Sequence, residues 1–180
     1  MSSPGNPAQV FIVEDNDPDV FLLEEALREH GIPAQLQRCS DGEEALLALS
    51  QIDQAPFPDI IIIDLNLPKV TGLEILKHVR SLRQLDEVPV MILTSSQSKS
   101  DRVLSLKHGA DAYIAKPPTL PEFLAAVGAG VRALLERSAA PPRGRLDSAI
   151  CGQLRPRVRL RIFRPVRRSR GRRLRSAVAI

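Results

Sequence analysis

The chain predicts an α/β fold in which a five-stranded parallel sheet is covered by helices on both faces. Short apolar runs alternate with amphipathic stretches, the order expected of strand-helix units. The runs are continuously apolar, as in "IIII" at 60–63, which suits strands buried on both faces rather than strands with one wet face. Carboxylates, a hydroxyl and a lysine recur just beyond the ends of these runs, where doubly wound sheets bind ligands.

Taken in order, "VFIV" (10–13) is the first strand, and Asp17-Pro18 supplies an N-cap with proline at the first helical position. Val20, Leu23 and Leu27 then recur at helical spacing until Gly31 stops the helix. "AQLQRC" (34–39) reads as a strand with partial alternation, and Asp41 opens a helix carrying Ala45, Leu46 and Leu49. "DIIIID" (59–64) is a strand, and Thr71 caps a helix bearing Leu73, Leu76 and Val79. "VPVMILT" (88–94) precedes a helix near 101–108 that Gly109 ends. "AYIA" (112–115) is the fifth strand, and Leu120, Phe123, Leu124, Val127, Val131, Leu134 and Leu135 mark the longest amphipathic helix. The economical arrangement is a flavodoxin-like doubly wound sheet in the order 2-1-3-4-5, with its ligand edge at the carboxyl ends of strands 1 and 3.

Length allows one domain of ordinary size plus a tail. No run approaches the roughly 18 apolar residues of a membrane span, and "MSSPGNPAQ" lacks the basic start and apolar stretch of a secretory signal, so a cytoplasmic protein is expected. Cys39 and Cys151 share no metal-type spacing and are read as reduced thiols. The net charge of +4 conceals a division after Arg137. Residues 1–137 carry 12 Lys+Arg against 20 Asp+Glu, a net of −8, whereas residues 138–180 carry 13 Arg against Asp147 alone, a net of +12. The expected organisation is therefore a globular domain over 8–137 and a disordered Arg-rich tail over 138–180.

The strand-end residues are Glu14 and Asp15, Asp64, Thr94 with Ser95, and Lys116. Each alone would pass for a helix cap or a solvated lysine. In order, each closing its own strand, they describe a site. Carboxylates gathered at one edge repel unless a cation holds them, and an all-oxygen set suits Mg²⁺, with the backbone carbonyl of Asn66 as a further ligand. Asp64 is the side chain best placed to attack phosphorus, Lys116 supplies a neutralising point charge, and Thr94 offers a hydroxyl to a phosphoryl oxygen.

"VFIVEDN", "IIIIDLNLPKVTG", "VMILTSS" and "GADAYIAKP", at their spacing over about residues 8–136, closely resemble the response-regulator receiver domain of two-component signalling. "DNDPDV" and "DLNLPK" resemble the stand-alone receivers that work with phytochrome-type and other sensor kinases. The resemblance implies that Asp64 accepts a phosphoryl group from a sensor histidine kinase or phosphotransfer protein. It implies that Glu14, Asp15, Asp64 and the Asn66 carbonyl serve Mg²⁺, and that Lys116 pairs with the phosphoryl group. Thr94 is then the switch hydroxyl and Tyr113 the aromatic that moves with it, altering a face of helix 4, strand 5 and helix 5 toward a downstream protein partner or a second copy of the chain. A cis Lys116-Pro117 bond is also implied. Glu14 stands where many receivers have Asp. Such a protein phosphorylates and dephosphorylates itself and is not a turnover enzyme.

A metal-dependent phosphohydrolase of the haloacid-dehalogenase type uses a similar residue set. It places an Asp-x-Asp motif after its first strand, however, whereas the candidate here follows the third strand and reads Asp-x-Asn. The tail "RPRVRLRIFRPVRRSRGRRLRSAVAI" suits polyanions, so a nucleic-acid-binding regulator is a further alternative, although base-stacking aromatics are nearly absent. Arg157, Arg159 and Arg161 alternating with Val158, Leu160 and Ile162 also fit a short strand, and the composition equally fits a reading-frame shift in GC-rich DNA.

Overall fold

In the computed structural model, residues 6–52 and 56–139 are described. The chain divides into two units, Met1–Arg143 and Gly144–Ile180, and the second lies outside the described residues together with the expectations for the tail beyond Ala139. The elements are β1 (Ala8–Val13), α1 (Asp17–Glu29), β2 (Ala34–Cys39), α2 (Gly42–Ser50), β3 (Ile60–Ile63), α3 (Gly72–Ser81), β4 (Val90–Thr94), α4 (Lys99–Lys107), β5 (Ala112–Ala115) and α5 (Leu120–Ala139). A 3₁₀ turn over Arg83–Leu85, too short for a periodic signal, links α3 to β4.

The five strands form a parallel sheet in the order β2-β1-β3-β4-β5. Side chains of a strand alternate between faces, so each apolar run feeds two cores. Phe11, Val13, Ile61, Ile63 and Ile92 pack with Ala45, Leu49, Ile75, Leu76 and Val79 of α2 and α3. Val10, Ile12, Ile60, Ile62, Met91 and Leu93 pack with Leu23, Ala26 and Leu27 of α1 and with Phe123, Val127, Val131 and Leu134 of α5. This two-sided demand is why β3 needs four isoleucines in succession, all of them buried.

Local chemistry sets the helix ends. Thr71 and Glu74 form a reciprocal capping box, Asp41 accepts the Glu44 N–H, and Ser98 accepts the Asp101 N–H. Gly31, at φ +60°, closes α1 in a left-handed turn: the Ile32 N–H reaches Leu27 O and the Gly31 N–H reaches Arg28 O. The expected cap at Asp17 moves by one residue. Asn16 is the N-cap and Pro18 lies inside the first turn, because Glu14 Oε1 accepts the Asn16 N–H and closes the turn early. The last helix runs two residues past the expected domain end, to Ala139.

Strand register aligns the carboxyl ends. Val13 pairs with both Cys39 and Ile63, and Thr94 pairs with Ala115. The ladder continues one residue beyond β1, β3 and β5: Glu14 N–H donates to Cys39 O (3.1 Å), Asp64 N–H to Val13 O (3.0 Å) and Lys116 N–H to Thr94 O (2.7 Å). These backbone bonds hold the site residues along one rim.

Candidate phosphoacceptor site

At that rim the Lys116 Nζ donates to Asp64 Oδ2 (2.7 Å), Glu14 Oε2 (2.8 Å) and Asp19 Oδ2 (2.7 Å). Asp64 and Glu14 are nearly sealed, at 5% and 2% exposure, and the lysine side chain is 11% exposed. The second oxygens are also held, since Asp64 Oδ1 accepts the Asn66 N–H (2.9 Å) and Glu14 Oε1 the Asn16 N–H (3.2 Å). Thr71 starts α3 close behind Asp64. A Cβ on Gly72 would fall 2.0 Å from Asp64 O, so the loop after β3 turns back this tightly only with glycine there.

Three carboxylates around one ammonium leave an excess of negative charge in a place with little water. Burial pushes the Glu14 carboxyl above its ordinary range, outweighing the downward pull of Lys116, and Asp64 adds to the rise. Burial by itself would lower the Lys116 pKa, but its bonds to Asp19, Asp64 and Glu14 outweigh this and raise it.

Thr94 is fully buried at the end of β4. Its Oγ1 accepts the Ser96 N–H (3.3 Å) and faces the Asn66 side-chain amide at 3.4 Å, which also donates to Ser95 Oγ (3.2 Å). Tyr113 is 8% exposed, its hydroxyl donates to Ser96 O (2.9 Å), and Arg102 of α4 lies 5.8 Å from the ring centroid. The ring is therefore buried with its hydroxyl paired. Its apolar body joins the α2–α3 core and its hydroxyl finds a carbonyl there, so both halves of the side chain are satisfied.

Asp15 stands apart, exposed, while its backbone carbonyl accepts from Arg38 Nη2 (3.1 Å). Among the described residues no three of His, Cys, Asp and Glu are disposed as a metal cage, because Glu14 and Asp64 turn toward Lys116 instead. The donors nevertheless fit a hard cation: every candidate ligand is an oxygen, and the rim carries uncompensated negative charge. The Lys116-Pro117 bond is trans, contrary to the cis expectation, as are all peptide bonds among the described residues. An X-Pro bond favours trans by only about 0.5–1 kcal/mol, and the trans backbone already delivers Nζ to all three carboxylates.

The sequence reading missed Asp19 and Arg38. Asp19 lies within "DNDPDV", yet nothing in that stretch marks it as a site residue; it looks like an ordinary first-turn acid of α1. Arg38 closes β2, and its Nε donates to Glu14 O (3.0 Å) and its Nη1 to Asp17 Oδ1 (2.6 Å), which ties down the loop between Glu14 and α1.

With this geometry in place, the sequence matches the response regulator receiver domain over residues 10–128. The chain belongs to the receiver domain family. The receiver is 33% identical to the response regulator Rcp1 of Synechocystis sp. over 127 residues, which covers 68% of this chain and 86% of Rcp1. It spans only about half to three fifths of the transcriptional regulatory proteins it also matches. Among solved structures, it resembles the phosphorylated cyanobacterial phytochrome response regulator RcpA with a TM-score of 0.68 and 33% identity, covering 76% of this chain and 99% of that one. The Mn²⁺-bound form of Rcp1 gives a TM-score of 0.68 at 30% identity, covering 75% and 99%. Receiver domains are generally phosphoryl acceptors of two-component systems, and membership does not favour the phosphohydrolase alternative.

Proposed function

We propose that this receiver accepts a phosphoryl group on Asp64 from the phosphohistidine of a sensor histidine kinase or phosphotransfer protein. The observation that carries this reading is the sealed contact of Asp64 with Lys116 at the rim, where a carboxylate end is presented to a fixed cation. In the transfer an Asp64 oxygen bonds to phosphorus, the phosphorus–nitrogen bond of the donor breaks, and the departing imidazole keeps the electron pair. Water later cleaves the acyl phosphate, releasing inorganic phosphate and restoring the carboxylate. One phosphoryl group per Asp64 per donor encounter makes a switch rather than a turnover enzyme.

Glu14, Asp15, Asp64 and the Asn66 carbonyl would hold Mg²⁺, which when bound neutralises charge on the transferring group. Lys116 supplies a cation, and the Thr94 hydroxyl, now shared with Asn66 and Ser96, turns to a phosphoryl oxygen. Thr94 and Tyr113 then bias the face of α4, β5 and α5, whose exposed Val103, Leu104 and Leu106 suit a protein partner or a second copy of the chain. The similarity to Rcp1 and RcpA supports a phytochrome-type kinase as donor. On this reading residues 8–137 are the signalling domain and 138–180 an Arg-rich tail.

Incubation with Mg²⁺ and acetyl phosphate is expected to label the protein to one phosphoryl group per chain, and Asp64→Asn to abolish the label. Equal labelling of the variant, or multiple turnover of p-nitrophenyl phosphate, would overturn the assignment.

A further inference from the structure

The third carboxylate on Lys116 has no part in the transfer described above. An ammonium has three N–H donors, and here each has its own acceptor at 2.7 or 2.8 Å: Asp64, Glu14 and Asp19. On the proposed reading two of these acceptors are claimed by the reaction. Asp64 gives an oxygen to phosphorus, and Glu14 belongs to the metal's donor set. Lysine is a compact charge on a flexible four-carbon stem, so an ammonium that loses its acceptors one by one swings toward water.

We propose that Asp19 is a positioning residue that keeps the Lys116 ammonium beside the phosphoacceptor while its other partners are drawn into the transfer. This rests on the assignment of Asp64 as acceptor.

Two features suit Asp19 to the task. Its backbone belongs to the first turn of α1, with its N–H on Asn16 O (3.1 Å), so it does not move with the Asp64 loop. The segment joining it to Glu14 is held from the other side by Arg38, which donates to Glu14 O, Asp15 O and Asp17 Oδ1. Asp19 thus holds Lys116 from a braced position while remaining partly open to water, at 21% side-chain exposure. Removing it should leave an acceptor and a metal site in place with a cation that is no longer kept between them.

The rival account makes Asp19 only a favourable negative charge at a helix N-terminus, which would affect stability and leave Lys116 where it is. The two accounts separate in one set of full-length proteins: wild type, Asp19→Asn, Asp19→Ala, Lys116→Ala and the Asp19→Ala/Lys116→Ala double variant. Phosphorylation by acetyl phosphate at saturating Mg²⁺ is expected to slow about tenfold in Asp19→Ala, equivalent to about 1.4 kcal/mol in the barrier. Asp19→Asn, which keeps an acceptor oxygen, should lose less. The double variant should be no slower than Lys116→Ala alone, since Asp19 acts through the lysine. In Mg²⁺-free buffer, acylation of Lys116 by an N-hydroxysuccinimide ester, followed by peptide mass spectrometry, is expected to rise several-fold in Asp19→Ala and less in Asp19→Asn.

A wild-type rate in Asp19→Ala, additive losses in the double variant, or unchanged Lys116 acylation would each overturn the proposal. So would a loss confined to Mg²⁺ affinity, which would make Asp19 a metal ligand instead. If wild type and Asp64→Asn label alike, the acceptor assignment itself fails and this inference with it; the acylation readout shows separately whether Asp19 holds the lysine.

Discussion

Glu14 shows how one residue couples the site to stability. It is buried beside Asp64, and its carboxyl titrates above the ordinary 4.5. Folding therefore favours the protonated form, so this contribution to stability is complete below pH 4.5 and is lost as pH rises through the higher folded value. In Mg²⁺-free buffer Glu14→Gln should unfold at a higher temperature than wild type near neutral pH, and its stability should vary less between pH 4.5 and 7. Thermal melts across that range check this; a lower melting temperature for the variant at neutral pH would show that the Lys116 bond outweighs burial. Lys116, whose pKa is also raised, behaves the same way at far higher pH: its contribution is complete below 10.5 and is lost as pH rises through the higher folded value. Cys39, buried near Glu44 and Asp41, has its thiol pushed up to about 12, which makes it an inert core residue, as the lack of any metal-type spacing suggested.

At the scale of elements, sequence signals succeeded where the deciding chemistry is local. Thr71 and Asp41 were read as caps from neighbouring residues alone, and both accept the backbone N–H of their third helical residue. Thr71→Ala should cost about 1 kcal/mol in denaturant melts. β3 was legible for a different reason: a strand buried on both faces can be continuously apolar, and Ile62→Ala should destabilise the receiver by about 2–5 kcal/mol. The cap of α1 was misplaced by one residue because its position depends on the Glu14 side chain, which folds back onto Asn16. Periodicity does not report such a bond. The trans Lys116-Pro117 bond was equally beyond local reading, since the two isomers differ too little in energy for sequence to choose.

At the scale of the whole molecule, the rim behaves as a concentration of like charge waiting for a cation. Binding that favours the folded state adds stability by mass action, about 2.7 kcal/mol at a ligand concentration one hundred times Kd. MgCl2 should therefore raise the melting temperature of the receiver and EDTA should reverse the rise; a melt unchanged by millimolar Mg²⁺ would argue against a metal at this rim. The reach of Lys116 also belongs to this scale. It closes the sheet's edge by bonding Asp19 of α1, Glu14 just past β1 and Asp64 just past β3, which lie 97, 102 and 52 positions away.

The alternation of apolar runs and amphipathic helices determined the sheet, its order and the identity of the strand-end residues, because burial on two faces leaves a period that can be read along the chain. What the tertiary structure decided was the company those residues keep: Asp19 on Lys116, Arg38 on the acidic loop, Asn66 facing Thr94, and the Tyr113 hydroxyl on Ser96. Each of these is a side-chain contact, to another side chain or to a backbone carbonyl, set by three-dimensional direction and by competition for a limited number of donors. Neither quantity is written in the spacing of residues along a strand or helix.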